Sequence, residues 1–164
     1  MRISLVPVAL AIGLFGCTSL PAGKPRFVLA PDAPQGYATV YFYRVGAFPK
    51  LRKPTISVGD VAVIDLPERA TTWVYVKSGD RNISVHWAWD TGAPNLAFSQ
   101  SFDAGQSYFI KIFGSFKMHI APGAFYAVAE TGIGTFARSV SKAEAIGELE
   151  ACCVFKAPSA RVIQ

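Results

Sequence analysis

Tyr37-Ala38-Thr39-Val40-Tyr41-Phe42-Tyr43-Arg44-Val45 is the stretch on which the reading of the fold turns. It is dense in β-branched and aromatic residues, which suit a pleated strand. Side chains of a strand alternate between faces, so Tyr41 and Tyr43 point together and Phe42 points the other way. Similar short runs follow at regular intervals, divided by turn residues. Lys53 to Val58 and Val61 to Leu66 flank Gly59-Asp60, a tight-turn pair that joins two strands as a hairpin. Thr71 to Lys77 is the next strand. Asn82 to Trp89 returns from the turn Ser78-Gly79-Asp80. Leu96 to Phe102 and Ser107 to Phe113 flank Asp103-Ala104-Gly105-Gln106 in a hairpin-like pattern, and Ala124 to Glu130 is a further strand. Strands at this spacing predict a mainly β fold, a small antiparallel β-sandwich of immunoglobulin-like or open-barrel type.

One helix interrupts the pattern near the C-terminus. Ser141-Lys142-Ala143-Glu144 matches a capping box, in which the Ser and Glu side chains satisfy free amides at a helix start. Ala145, Ile146 and Leu149 then form an apolar stripe of helical spacing. The helix is predicted over Lys142 to Ala151. Cys152 to Phe155 begins a last strand, and residues 156–164 form a loose tail.

Upstream of Tyr37 the texture is different. Residues 17–36 hold Pro21, Pro25, Pro31 and Pro34 with few apolar side chains, the composition of an extended, semi-rigid tether. Phe27-Val28-Leu29 is the part of it able to pack on the domain instead. Residues 1–16 have the plan of a secretory leader: Met1-Arg2 as a charged start, a short apolar run to Phe15, and the small Gly16. That run is too short to span a bilayer as a helix, which takes roughly 20 residues. Its ending, Leu14-Phe15-Gly16-Cys17, resembles the signal of bacterial lipoproteins. The resemblance implies cleavage before Cys17 and acylation of that cysteine, with Phe15 bulkier than is usual at its place. An ordinary leader with a cysteine near its end is the alternative. Thr18 stands where an Asp would resemble an inner-membrane retention signal, so the expected location is the periplasmic face of the outer membrane.

The chain of 164 residues carries 16 basic and 11 acidic residues, net +5. Loss of Arg2 with the leader leaves 15 against 11, net +4. Residues 37–155 fit one domain. A mild positive balance favours proximity to anionic headgroups or polymers. Lys50, Arg52 and Lys53 are the only basic cluster, and no basic helix, zinc-finger spacing or RNA-binding aromatic motif points to nucleic acid. The chain has three cysteines. With Cys17 assigned to lipid, Cys152 and Cys153 remain. They form either a vicinal disulfide suited to an oxidising compartment, or, as preferred, one buried and one partly exposed thiol. Metal binding needs more ligands than these and His86 and His119 supply.

Candidate chemistry is sparse. His86 lies between Val85 and Trp87 in a strand, and His119 lies beside Met118 and Ile120. Neither has a carboxylate placed by motif, as a nucleophile–base–acid triad requires. Thr131-Gly132-Ile133-Gly134 lacks the lysine of a phosphate loop. The aromatic pairs Tyr41 with Tyr43, Trp87 with Trp89, and Trp73 with Tyr75 each share a strand face. They are candidates for stacking on sugar rings; filling the core between two sheets is the preferred reading. Arg44 is read as pairing with an internal Asp rather than as an anion ligand.

The order and spacing of several pieces resemble the bacterial lipoproteins that carry the uncharacterised domain of unknown function 2846. The matching pieces are Ala38 to Arg44, the Ser57-Val58-Gly59-Asp60 turn, the Gly79 turn before Ile83-Ser84-Val85, and Ala104-Gly105-Gln106-Ser107-Tyr108-Phe109-Ile110-Lys111. The likeness covers roughly Gly36 to Val154, with Ser78 where that family carries a proline. It implies a small β-sandwich on a lipid anchor and no reaction. The leading expectation is therefore a non-enzymatic envelope lipoprotein without a cofactor. It would be held to the membrane by its N-terminal lipid and would present a sheet face or edge to another envelope protein or a glycan. Two alternatives are an envelope hydrolase built on His86 or His119, and a redox-sensing module built on Cys152-Cys153.

Overall fold

The computed structural model describes residues 27–115, 123–128 and 134–164. They form two open sheets packed face to face, with one helix on the outside of the larger sheet. The strands in chain order are β1 (Tyr37–Arg44), β2 (Thr55–Val58), β3 (Val61–Asp65), β4 (Ala70–Lys77), β5 (Gly79–His86), β6 (Leu96–Phe102), β7 (Ser107–Ser115), β8 (Ala124–Val128) and β9 (Gly134–Val140). After helix α1 (Lys142–Cys152) come two short strands, β10 (Val154–Phe155) and β11 (Val162–Ile163). The larger sheet runs β10-β4-β1-β7-β9-β8, with β11 beside β10 on the outer edge of β4; the smaller runs β3-β2-β5-β6. The expected mainly β sandwich with a single C-terminal helix is thus the architecture.

The alternation read from Tyr37 to Val45 explains the layers. Ala38, Val40 and Phe42 face the smaller sheet and join Val74, Val76, Ile110, Ile112, Ile56, Val58, Ile83 and Val85 in the main core. Tyr41 and Tyr43 face outward into a second core, with Phe109, Val140, Ala145, Leu149, Cys152 and Cys153. Strand β1 therefore has no polar face, because it lies mid-sheet and is covered on both sides.

Helix α1 begins as its capping box predicts: the Glu144 amide donates to Ser141 Oγ at 3.3 Å. The buried positions Ala145, Leu149 and Cys152 follow helical spacing. Two ion pairs fasten the helix to the sheet, Lys111 to Glu148 at 2.5 Å and Arg138 to Glu144 at 2.6 Å.

Several details differ from the sequence expectations. Of the three turns read from the sequence, Gly59-Asp60 alone closes a hairpin, with Val58 opposite Val61. The turns at Ser78–Asp80 and Asp103–Gln106 are corners that carry the chain from one sheet to the other, since β4 and β7 belong to the larger sheet and β5 and β6 to the smaller. As a result β1 pairs with β7 in parallel, and the larger sheet is mixed rather than wholly antiparallel. Strand β9 was not anticipated. It pairs with both β7 and β8, so it is the innermost strand of that flank. The tail beyond Lys156 is not loose: Val162–Ile163 pairs with Tyr75 and Val76 of β4, and Ile163 enters the main core. Arg161 lies over the Trp73 ring, 3.8 Å from its centre.

Candidate functional site

The two most exposed apolar side chains among the described residues lie at one end of the sandwich, where β1, β3 and β5 finish and the loops 45–54 and 87–95 stand side by side. Arg44 builds this end. It is the last residue of β1 and is fully buried. Its guanidinium donates from Nη1 to the carbonyls of Arg52 and Leu66, each at 3.0 Å, and from Nη2 to that of Pro49 at 2.9 Å. The indole of Trp87 stacks on it, with the ring centre 5.0 Å from Cζ. Burial pulls the pKa of this group down to about 10, against the opposing pull of Glu68, so it stays charged at neutral pH. Arg44 is structural, as expected, but its partners are backbone carbonyls of the loop rather than an Asp.

The rest of the loop frame is equally specific. Glu68 accepts from the Ala47 amide at 3.2 Å with both oxygens. Phe48 bridges to Gly114 of β7, and a Cβ at Gly114 would collide with the Phe48 carbonyl oxygen. In the second loop, the Trp87 amide donates to Asn95 Oδ1 at 3.0 Å, and the Thr135 hydroxyl reaches the Pro94 carbonyl at 2.5 Å. Arg52 forms an ion pair with Asp90 across the gap between the loops. On this frame two apolar side chains are almost wholly exposed, Leu51 at 93% and Trp89 at 94%. Lys50 and Lys53 flank Leu51 and are exposed. The sequence had marked Lys50, Arg52 and Lys53 as its only basic cluster. Leu51 escaped notice because one leucine among polar residues carries no periodic signal.

Two clefts flank the turn at Val45–Gly46. One, of about 260 Å³, is lined by Lys111, Phe113 and Arg138. The other, of about 350 Å³, is lined by Lys50, Glu68, Arg69 and Cys152. Lys111 and Arg138 already hold Glu148 and Glu144.

The aromatic candidates divide sharply. Tyr41 and Tyr43 are buried beneath α1 and the N-terminal segment and present no ring to a ligand. Tyr41 stacks on Phe109 at 4.5 Å, and its hydroxyl accepts from the Ala30 amide at 2.9 Å. Tyr43 donates to Glu148 Oε2 at 2.8 Å; burial first, and then that carboxylate, push its pKa up. Trp87 and Trp89 do not share a strand face. β5 ends at His86, Trp87 turns into the core, and Trp89 opens a single 3-10 turn over Trp89–Thr91. Of these four, Trp89 alone faces outward. Trp73 and Tyr75 lie side by side on the outer face of β4, partly covered by Arg161 and by Pro31, whose carbonyl accepts from the Tyr75 hydroxyl at 3.1 Å.

Cys152 and Cys153 are bonded to each other and both are buried, in place of one partly exposed thiol. Cys152 lies on the buried stripe of α1, and Cys153 is held at the helix end by the hydrogen bond its backbone N–H donates to the Leu149 carbonyl. His86 is exposed at the end of β5, in register with Thr55 of β2, which is in register with Asp65 of β3. The Thr55 hydroxyl donates to Asp65 at 2.6 Å, so its proton is directed to the carboxylate and not to the imidazole. A triad needs the imidazole between the other two groups. His119 and Cys17 lie outside the described residues, as do the leader and residues 17–26. Among the described residues no group of three metal-ligating side chains comes together, and no helix is long and apolar enough to cross a membrane.

No family model, curated protein or solved structure matches the chain, so the arrangement of these residues is what carries the functional reading.

Proposed function

We propose that this chain is a lipid-anchored, non-enzymatic module of the bacterial cell envelope. It would be moored at the periplasmic face of the outer membrane through an acylated Cys17 and would present its β-sandwich to another envelope protein or a glycan. The observation that carries this reading is the way the segment behind Cys17 joins the fold. Phe27 packs edge-on against Tyr41 at 6.2 Å, Ala30 is tied to the Tyr41 hydroxyl, and Pro31 is tied to Tyr75. A segment stitched to the sheet in this way turns an N-terminal lipid into a handle that holds the sandwich close to a surface. Phe27 follows Cys17 by only ten positions, a reach of at most about 35 Å when fully extended. The leader plan and the Leu14-Phe15-Gly16-Cys17 ending support the same reading. Stable mooring takes more than one acyl chain, since each buried CH₂ contributes about 0.8 kcal/mol.

The test is Cys17→Ser expressed in a bacterial host, with membrane fractionation and mass spectrometry of the mature N-terminus. The native chain is expected in the membrane fraction, with a mass increase for acyl chains on Cys17. The variant is expected to lose both that mass and the cleavage before residue 17. A variant that is cleaved there and membrane-bound as firmly as the native chain overturns the reading.

A further inference from the structure

We propose that the end of the sandwich bearing Leu51 and Trp89 rests on an anionic phospholipid surface, the same bilayer that holds the lipid on Cys17. The orientation rests on the anchor reading above. A lone exposed apolar side chain is ordinary on any protein surface. Here two of them, each over nine-tenths exposed, project from neighbouring loops joined by the Arg52–Asp90 ion pair. Tryptophan is enriched where one side of a ring meets hydrocarbon and the other meets headgroups and water. Lys50, Arg52 and Lys53 are exposed beside Leu51 in the same loop, with Arg52 bridging to Asp90 next to Trp89, the pattern in which cations meet anionic headgroups while apolar tips enter between them.

Charge separates the two ends of the molecule. At this end Lys50, Arg52, Lys53 and Arg69 outnumber Asp65, Glu68 and Asp90, and Glu68 is turned onto the Ala47 amide. At the opposite end, around the corners 78–80 and 103–106 and the turn at Gly59, Asp60, Asp80 and Asp103 outnumber Lys77 and Arg81. Among the described residues, the two almost wholly exposed apolar tips lie at the end where cations are in excess.

The course of the chain favours the same end. β1 runs from Tyr37 towards the Leu51–Trp89 loops. The N-terminal segment, followed backwards from Tyr37, climbs the outer face in the same direction. Pro31 is at Tyr75, which is paired with Thr39; Ala30 is at the Tyr41 hydroxyl; Phe27 is at the Tyr41 ring. From Tyr41 to Arg44 is about 10 Å along the strand. The ten residues back to Cys17 span that distance several times over, so the acylated cysteine can lie level with the loop tips. The loops themselves are fixed from below by Arg44, Asn95 and Thr135. They reach a surface without first having to be ordered.

The mature lipidated protein, its acyl mass verified, is reconstituted in phosphatidylglycerol-containing vesicles with brominated acyl chains, and tryptophan emission is read. Trp87 is buried and Trp73 is partly covered on the outer face of β4, so the quench that reports on this end is the component expected to vanish in Trp89→Phe. Replacing phosphatidylglycerol with phosphatidylcholine, or introducing Lys50→Glu with Lys53→Glu, is expected to weaken the quench. Each cation contributes about a fivefold change in the equilibrium between resting and lifted states. An acylated protein whose Trp89 emission is unquenched in anionic vesicles overturns the proposal, as does an equal quench in wholly phosphatidylcholine vesicles. Shielding of Trp89 in native envelopes without quenching by brominated lipid assigns this end to a protein partner and likewise overturns it. Absence of acyl mass on Cys17 is a separate result: it removes the anchor reading, and with it the orientation argued here.

Discussion

Arg44 shows how much a single side chain can organise. A fully buried guanidinium is costly unless its donors are met and its charge is offset. Three carbonyls, from Pro49, Arg52 and Leu66, accept from Nη1 and Nη2, the Trp87 ring faces the charge, and Nε is left buried without a hydrogen-bond partner. Arg44→Ala leaves those carbonyls without a donor and opens a cavity, and it is expected to cost about 3–5 kcal/mol. Urea unfolding of the variant measures this. Arg44→Lys is expected to recover little, because an ammonium lacks the planar fork that reaches several carbonyls at once. If the lysine variant matches the native protein in stability, the fork is not what holds the loops. The sequence placed Arg44 correctly as structural. Its true partners were illegible because backbone carbonyls from residues 49, 52 and 66 leave no mark in the pattern of side-chain types. The same limit separates Trp87 from Trp89: alternation assigns both to one face only while the strand continues, and β5 stops at His86.

At the scale of elements, α1 was the most legible part of the chain, because a capping box and an apolar stripe are both local. Its attachment to the sheet makes a pH prediction. Burial alone would raise the pKa of Glu148. The hydrogen bonds from Lys111 and Tyr43, with the charges of Lys111 and Arg138, outweigh it and hold the carboxyl below its ordinary value. A carboxylate whose pKa is depressed by folding contributes stability that is present above its unfolded pKa and is lost as pH falls through its folded one. The native protein is therefore expected to lose more stability than Glu148→Gln between about pH 5 and pH 3, read by urea midpoints across that range. Parallel curves would remove Glu148 from the acid response. Turns were legible in place but not in kind. Gly59-Asp60, Ser78–Asp80 and Asp103–Gln106 all carry turn chemistry, yet only the first reverses the chain within one sheet. A reversal and a corner use the same residue types; which one forms depends on which sheet buries the next apolar face.

For the whole molecule, closure at the edge of β4 is the feature that sequence reasoning missed. β10 and β11 line that edge, Ile163 fills the main core, and Arg161 covers Trp73. Deleting residues 161–164 is expected to cost about 2–4 kcal/mol, the range for removing a buried isoleucine side chain, and to expose a strand edge open to self-association. Thermal unfolding and light scattering of the truncated chain test this; unchanged stability would show the tail to be dispensable. The tail looked loose because a two-residue strand has no period to read, and its pairing with Tyr75 and Val76 spans more than eighty residues of chain. By itself, the sequence determined the β class, the alternation of β1, the start of α1 and the Gly59 hairpin. Each of these is written in residues close together, where backbone preference and side-chain period act directly. Only the tertiary structure decided which sheet each strand joined, where β9 and the tail inserted, which aromatics were covered and which end of the sandwich gathered exposed apolar and basic side chains. Those outcomes follow from burying apolar faces against partners distant in the chain, a non-local balance that no short stretch encodes.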